Sequence, residues 1–346
     1  MKIQASNLKE FGENILMKVK LKPKDAEVLS DTLVEANLRG IDTHGISRLP
    51  IYIERLEKNI VNPSPNYKKN KLTDTTMLID GDNGQGQVVS NEACNEAIKL
   101  AKKNGSGFVG VKNSNHFGAA AYYIMKIIEE DLIGFVVSNG PPNMVIYGGA
   151  ESVFGTNPLA MGFPAESQLP IVIDMSTSVV ARGNIILADK ENESIPEGWA
   201  VDKDGKVTTD TKKALEGAVL PMAGHKGSAL AIAIDVLSGV LTGAEWSKNV
   251  KSLYNNFEDP QNNGHFFGAI DISGFMPVNN FKKRMDNFIL DLKSTPKAPG
   301  HEEIYMPGEI EFNTKNKRLK EGIPIGKNVL EELKSLASKY NVDSQI

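Results

Sequence analysis

The sequence predicts a mixed α+β fold, with helices and strands interleaved but without the regular alternation of a doubly wound sheet. Two observations predict it. Apolar residues fall at helical spacing in some segments and in short continuous runs in others, in no fixed order. Pro63 and Pro65 then separate a helical beginning from a strand-containing middle. At 346 residues the chain can bury a large core and is long enough for two domains.

Lys24 to Arg39 reads as a helix, with Val28, Leu29, Leu33 and Ala36 on one face and Gly40 as its stop. Ser47 is the expected N-cap of a second helix from about Arg48 to about Lys58, with Pro50 tolerated in its first turn. A domain boundary is expected near residue 70. Asn91 to Asn104 is a helix with Ala93, Ala97, Ile98 and Ala101 on one side and Gly105 after it. Phe108 to Val111 and Ile133 to Ser138 are short buried strands flanking a helix at Ala119 to Glu130. Gly148 to Gly162, rich in glycine and aromatics, reads as a loop against a ligand or interface. Pro170 to Met175 is a strand, and Asp204-Gly205 is the turn of a hairpin within Val201 to Asp210. Gly227 to Gly243 reads as a buried helix. Ala269 to Ile272 is a strand, Val278 to Leu292 an amphipathic helix, and Lys327 to Tyr340 a polar terminal helix.

Composition narrows the function. The net charge is −4, from 39 basic and 43 acidic residues, and no basic block with interleaved aromatics stands out. Nucleic acid is therefore not an expected partner. The longest apolar run, Ser228 to Ala244, is broken by Asp235 and falls about a turn short of a membrane span. Met1 to Lys20 lacks a signal-peptide core. Cys94 is the only cysteine, which rules out an internal disulfide and makes a cysteine-based metal site unexpected. A cytoplasmic protein with no membrane partner and no metal is the expectation.

The stretch Asp42-Thr43-His44-Gly45-Ile46-Ser47-Arg48, with Tyr52, carries the strongest chemical signal. It sets a proton carrier beside a forked cation at a helix mouth, where free N–H groups favour an anion. Such a clamp suits a small 2-hydroxy or 2-keto acid; a capped surface helix explains the same residues. Asn113-Ser114-Asn115-His116-Phe117-Gly118 follows a strand, so His116 is a second acid–base candidate or merely a helix cap. Asp174, Met175 and Ser176, with Thr177 and Ser178, end a strand in a carboxylate and hydroxyls that could hold ribose or phosphate oxygens. Lys226 near the start of a helix, and the turn Pro307-Gly308-Glu309, are weaker phosphate contacts. Asp235 in its apolar run reads as a structural hydrogen-bond hub. Gly105-Ser106-Gly107-Phe108-Val109-Gly110 matches the dinucleotide fingerprint G-x-G-x-x-G in letters only. A helix precedes it and a strand follows, the reverse of the required context.

Taken together, the segments resemble the non-Rossmann malate/L-lactate dehydrogenase family, which includes ureidoglycolate and sulfolactate dehydrogenases and keto- and imino-acid reductases. The resemblance runs from Arg39-Gly40-Ile41-Asp42-Thr43-His44-Gly45 and Arg48, through Asn115-His116-Phe117-Gly118, Gly148-Gly149-Ala150-Glu151 and Gly155-Thr156-Asn157-Pro158. It continues through Asp174-Met175-Ser176-Thr177, Trp199-Ala200-Val201-Asp202 and Gly224-His225-Lys226-Gly227 to Ile234-Asp235-Val236-Leu237-Ser238-Gly239 and Pro307-Gly308-Glu309. It implies a helical domain from both chain ends (1–70 with 310–346) and a central mixed-sheet domain (71–309) that binds a nicotinamide cofactor without a Rossmann unit. It also implies a homodimer. His116, and His44 in some members, match acid–base positions; Arg48, Thr43 and Tyr52 match substrate positions. Asn139, Gly140, Asp174, Met175, Ser176, Lys226, Gly308 and Glu309 match cofactor positions. Thr43 stands where Ser is usual, Gly140 where Ser or Thr is common, and Ser228 where Tyr is common.

The expectation is an NAD-dependent 2-hydroxy-acid dehydrogenase, with NADP possible, malate–oxaloacetate the first-choice substrate pair and L-lactate the next. A histidine with an unshifted pKa of about 6.5 would serve as base and acid in turn. Rivals are ureidoglycolate, a sugar-derived keto acid or a cyclic imine on the same fold, a cofactor-independent lyase or hydrolase, and a silent binding protein.

Overall fold

A computed structural model describes residues 1–343 and 346. Its centre is a seven-stranded sheet in the spatial order Lys68–Lys71, Thr76–Asp80, Ser106–Ser114, Asn263–Asp271, Leu132–Ser138, Leu159–Phe163, Ile171–Met175. Only Thr76–Asp80 and Ser106–Ser114 pair in parallel; every other neighbouring pair is antiparallel. Four strands (Thr76–Asp80, Ser106–Ser114, Leu132–Ser138 and Ile171–Met175) consequently run the same way. Their carboxyl ends reach one edge, where open sheets of mixed α/β proteins place their ligands. The register is explicit: Val137 faces Leu159, and Leu159 faces Met175.

The helices Gly86–Asn104 and Ala121–Glu129 cover this sheet and share one core with it, including Val89, Ala97, Val109, Ile124, Ile127, Val136 and Phe267. A second core is made by helices near both chain ends: Ala5–Lys18, Pro23–Leu38, Leu49–Glu57 and Lys327–Tyr340. Leu8, Phe11 and Ile15 lie at helical spacing and meet Leu29, Leu33, Leu49, Ile53 and Leu333. Fully burying each such side chain contributes about 1.5–3 kcal/mol before chain entropy is subtracted. Lys2–Ile3 and Ile323–Pro324 pair as a two-stranded ribbon that joins the chain ends. A small five-stranded sheet contains the expected Asp204-Gly205 hairpin and lies beside the helix Arg182–Glu191.

Several expectations are corrected. The helix expected from Asn91 begins at Gly86; the polar, glycine-rich run Gly81 to Gln85 before it and the lack of a side-chain cap hide its start in the sequence. The presumed loop Gly148 to Gly162 contains the strands Ser152–Phe154 and Leu159–Phe163. Its glycine content misled because Gly162 is a close-packing position: a Cβ there would lie 2.3 Å from Ile124. The strands Phe108 to Val111 and Ala269 to Ile272 extend to Ser106–Ser114 and Asn263–Asp271. The buried helix Gly227 to Gly243 is an α-helix at His225–Asp235 followed by a π-turn at Val236–Val240, and it leaves Leu230, Ile232, Val236, Val240 and Leu241 exposed. Four helices were not foreseen: Ala5–Lys18, Arg182–Glu191, Thr211–Glu216 and Glu309–Glu321. The rejected fingerprint behaves as expected, with Gly105 a left-handed helix stop (φ +85°) and a strand after it.

Gly86 fixes the sheet edge against the helix above it. A Cβ at this position would sit 2.1 Å from the Asn115 carbonyl oxygen and 2.3 Å from that of His116, both backbone atoms. We expect Gly86→Ala to destabilise the protein by about 1–3 kcal/mol, the usual cost of overpacking. Chemical denaturation measures this, and an unchanged midpoint would disprove the close approach.

Candidate active site

Two 3₁₀ turns, Asp42–His44 and Ile46–Arg48, connect the helices Pro23–Leu38 and Leu49–Glu57. Buried Asn37 organises them: its Nδ2 donates to Asp42 Oδ1 (2.6 Å) and its Oδ1 accepts from Ile46 N (2.7 Å). Arg318 grips the Asp42 carboxylate with both terminal nitrogens, at 2.6 and 3.0 Å. Asp42 is thereby committed to shaping the turn. Ser47 is not the N-cap: its hydroxyl donates to Asp42 O (2.9 Å), and the helix starts at Leu49 without a side-chain cap.

His116 leaves the carboxyl end of Ser106–Ser114. Asn115 holds that exit by donating from Nδ2 to Asn83 Oδ1 (3.0 Å) and Gly84 O (2.9 Å). His116 N donates to Gln261 Oε1 (3.2 Å). Tyr52, fully buried on Leu49–Glu57, brings its hydroxyl to 2.7 Å from His116 Nδ1. His44 stacks on His116 with ring centroids 5.6 Å apart, and Thr43 Oγ1 lies 3.1 Å from His44 Nδ1. Arg48 donates from Nε to Thr43 O (2.6 Å), and its Nη1 is hydrogen-bonded to the Tyr254 hydroxyl. The fold thus brings His44, Arg48, Tyr52 and His116 together. Tyr52, expected to face substrate, directs its hydroxyl at His116, and Thr43 offers Arg48 its carbonyl.

The electrostatics overturn the expectation of an unshifted histidine. Burial, aided by the Arg48 cation, pushes His44 down to about 4. Burial, then Arg48 and the two neighbouring imidazoles, hold His116 well below the ordinary 6.5. Both rings are neutral at pH 7. Burial pushes the Tyr52 phenol up to about 12, so it stays protonated.

A third imidazole lies beneath. His265 is fully buried, with Nδ1 2.8 Å from Ser138 Oγ and Nε2 3.0 Å from Ser114 Oγ. It stacks on Phe117 at 4.7 Å. Sequence reading missed His265, Gln261 and Tyr254; only an imidazole in an otherwise apolar strand pattern could have flagged the first.

Most of the cofactor candidates converge on the same sheet edge. Asn139 and Gly140 follow Leu132–Ser138; Asp174 to Ser176 end Ile171–Met175. Asn139 is itself consumed by the fold, donating to Glu245 O (2.8 Å) and accepting from Gly264 N (3.0 Å). Asn157 ties Gly140 to the helix that begins at His225, accepting from Gly140 N (3.2 Å) and donating to Ala231 O (3.1 Å). At Gly140 a Cβ would have room, its nearest neighbour 3.8 Å away, so the residue leaves open backbone beside the edge. Asp174 accepts from Ala121 N at the start of Ala121–Glu129 (2.8 Å), and burial pushes its carboxyl up to about 6. Met222 N donates to Thr177 O, drawing the turn before exposed Lys226 toward Ser176. Val172 N donates to Pro307 O, which seats the Gly308-Glu309 turn against Val172, near the start of Ile171–Met175. Glu309 holds that turn by accepting from Met306 N (2.9 Å) and pairing with Lys293. Asp235 accepts from Ser247 N (2.9 Å), in keeping with a structural hub.

Comparison with known proteins accords with this arrangement. A family profile described as malate/L-lactate dehydrogenase matches residues 3–334. The chain belongs to the malate/L-lactate dehydrogenase family. It is 41% identical to L-sulfolactate dehydrogenase of Methanocaldococcus jannaschii, over 99% of this chain and 98% of that one. The solved structure of sulfolactate dehydrogenase from that organism superposes with a TM-score of 0.94 at 40% identity, covering 100% of this chain and 99% of the other. It is 39% identical to malate dehydrogenase of Pyrococcus horikoshii, over 99% and 96% of the two chains. Ureidoglycolate dehydrogenase (NAD(+)) of Escherichia coli K12 is 35% identical over 96% and 95%. The family consists of dehydrogenases, and their names imply a nicotinamide cofactor. No helix among the described residues of this family member is long and apolar enough to cross a membrane.

His265 makes the fold acid-sensitive. Above pH 6.5 it is neutral folded and unfolded. As pH falls from 6.5 toward its folded value of about 3, the unfolded chain takes up a proton that the folded one refuses. Stability is lost there at up to about 1.4 kcal/mol per pH unit. We expect His265→Asn to have a shallower decline of unfolding free energy between pH 6.5 and 4 than the parent protein; identical slopes would contradict the buried neutral imidazole.

Proposed function

We propose that this chain is a nicotinamide-dependent dehydrogenase that interconverts a small 2-hydroxy acid and its 2-keto acid, malate and oxaloacetate first and L-lactate next. The observation that carries the reading is His116, held by Tyr52 and stacked on His44, beside the Arg48 cation. Arg48 binds the substrate carboxylate. With Nδ1–H donated to the Tyr52 oxygen, His116 presents an unprotonated Nε2 to the C2 hydroxyl. In oxidation Nε2 takes the hydroxyl proton as C2 becomes a carbonyl; in reduction the same nitrogen returns it. Because Arg48 depresses both imidazoles, neutralising it with a substrate carboxylate raises them toward the range in which they can also act as acids. The alternative proton carrier is His44, bonded to Thr43.

The nicotinamide, when bound, accepts the C2 hydride in oxidation and supplies it in reduction. Gly140, Asp174, Met175, Ser176 and Lys226 fit its binding because they share one sheet edge. Open backbone at Gly140 and an exposed lysine suit close approach and phosphate charge. NAD is our choice, NADP the alternative. The two cores support a helical unit from both chain ends and a central sheet unit, with the boundary before Lys68 and not at 70, because the strand Lys68–Lys71 pairs into the sheet. We read the enzyme as cytosolic, with its one thiol buried.

The test is absorbance of NADH or NADPH with a panel of 2-keto acids. Oxaloacetate is expected to be the best substrate, and His116→Ala to lower kcat by about 10²–10⁴-fold while NADH binds as before. Consumption of neither nucleotide with any keto acid or imine would refute the reading.

We further propose a homodimer that covers the apolar face of the helix His225–Asp235 and its π-turn. Val236, Val240 and Leu241 are 46%, 57% and 61% exposed in the single chain, on one contiguous face. Val240→Arg should shift the light-scattering mass toward one chain; a parent protein that is already monomeric would end the idea.

A further inference from the structure

We propose that Tyr254 is a substrate-binding residue: its hydroxyl supplies a third donor beside the Arg48 guanidinium, so that the acid is held by arginine and phenol together. This deepens the dehydrogenase reading and rests on it.

The geometry of Arg48 leads there. Its Nε–H is spent on Thr43 O at 2.6 Å, which leaves the outer Nη1/Nη2 edge for a ligand. On that edge Nη1 donates to the Tyr254 hydroxyl oxygen. A phenol oxygen that accepts from a cation has its own O–H free to turn outward. Tyr254 is 49% exposed, so that O–H reaches solvent beside the guanidinium. The ring packs against the same cation, with the guanidinium carbon 5.2 Å from its centroid. A carboxylate on the outer edge of Arg48 therefore meets Nη2–H and the phenolic O–H.

The segment carrying Tyr254 is anchored for this purpose. Arg55 lies seven residues after Arg48, two helical turns along the same face. It is buried and donates from Nη1 to Leu253 O (3.2 Å) and Asn256 O (2.6 Å), on either side of Tyr254. Ser252 Oγ accepts from Tyr254 N (3.3 Å) and Asn255 N (3.1 Å). Leu253 is buried in the core formed by the chain-end helices. The helix Leu49–Glu57 thus grips the backbone with Arg55, and the turn leading into it receives the tyrosine with Arg48.

Tyr254→Phe keeps the ring on Arg48 and removes only the hydroxyl. We expect it to raise KM for the best 2-keto acid about tenfold, with kcat within about twofold and the NADH dissociation constant unchanged, as befits one hydrogen bond to a charged group. The inhibition constant of oxalate, a dicarboxylate probe, should weaken by a similar factor. Combined with Arg48→Lys, the change should be far less than additive, because both residues hold one anion. Unchanged KM and oxalate inhibition, a loss confined to kcat, or full additivity would each overturn the proposal while leaving the dehydrogenase reading intact. An inactive parent protein that neither binds NADH nor is protected by oxalate against heat would instead refute both.

Discussion

The hydrogen bond between Tyr52 and His116 is the contact on which the site depends. Tyr52 belongs to a helix packed among the chain-end helices; His116 hangs from the carboxyl end of a sheet strand. This 2.7 Å contact is one of the links between the two cores, with Tyr122 to Asp31 another, and it sets how the imidazole faces the space beside Arg48. Tyr52 is buried and His116 half-buried, so leaving the phenol unpaired would cost most of the desolvation of a polar group. The Asn115, Gln261 and Gly86 contacts hold the backbone so that this bond is made without searching.

Charge follows from the same enclosure. Two imidazoles and a guanidinium within one buried corner cannot all be cations, and arginine keeps its proton most firmly. The histidines yield and stay neutral. A site prepared in this way favours an anion, because the Arg48 charge is left without a counterion.

The edge proposed for the cofactor is built without a glycine-rich strand-to-helix turn. Four strands deliver their carboxyl ends to one edge; Thr177–Met222 draws the turn before Lys226 toward it, and Asn157 ties Gly140 there to the helix at Ala231. The glycine triplet that mimics a dinucleotide fingerprint instead stops a helix and starts a strand.

Residue type and local order alone determined the mixed fold class, most helices longer than two turns, and the candidate segment that sets a histidine beside an arginine at His44 and Arg48. These are local properties: periodicity, helix stops and side-chain chemistry act within a few residues. Strand ends, the Gly162 packing position and the exposed side of the helix at His225 were illegible because they depend on what lies across a sheet or on the surface. Tyr254, Gln261 and His265 stand well over a hundred residues from the groups they touch, and nothing in their neighbours announces it. Only the tertiary structure decided that His116 faces a phenol, that His44 stacks on it, and that both remain uncharged. Desolvation and Coulomb repulsion depend on separation in space, which the order of residues does not state.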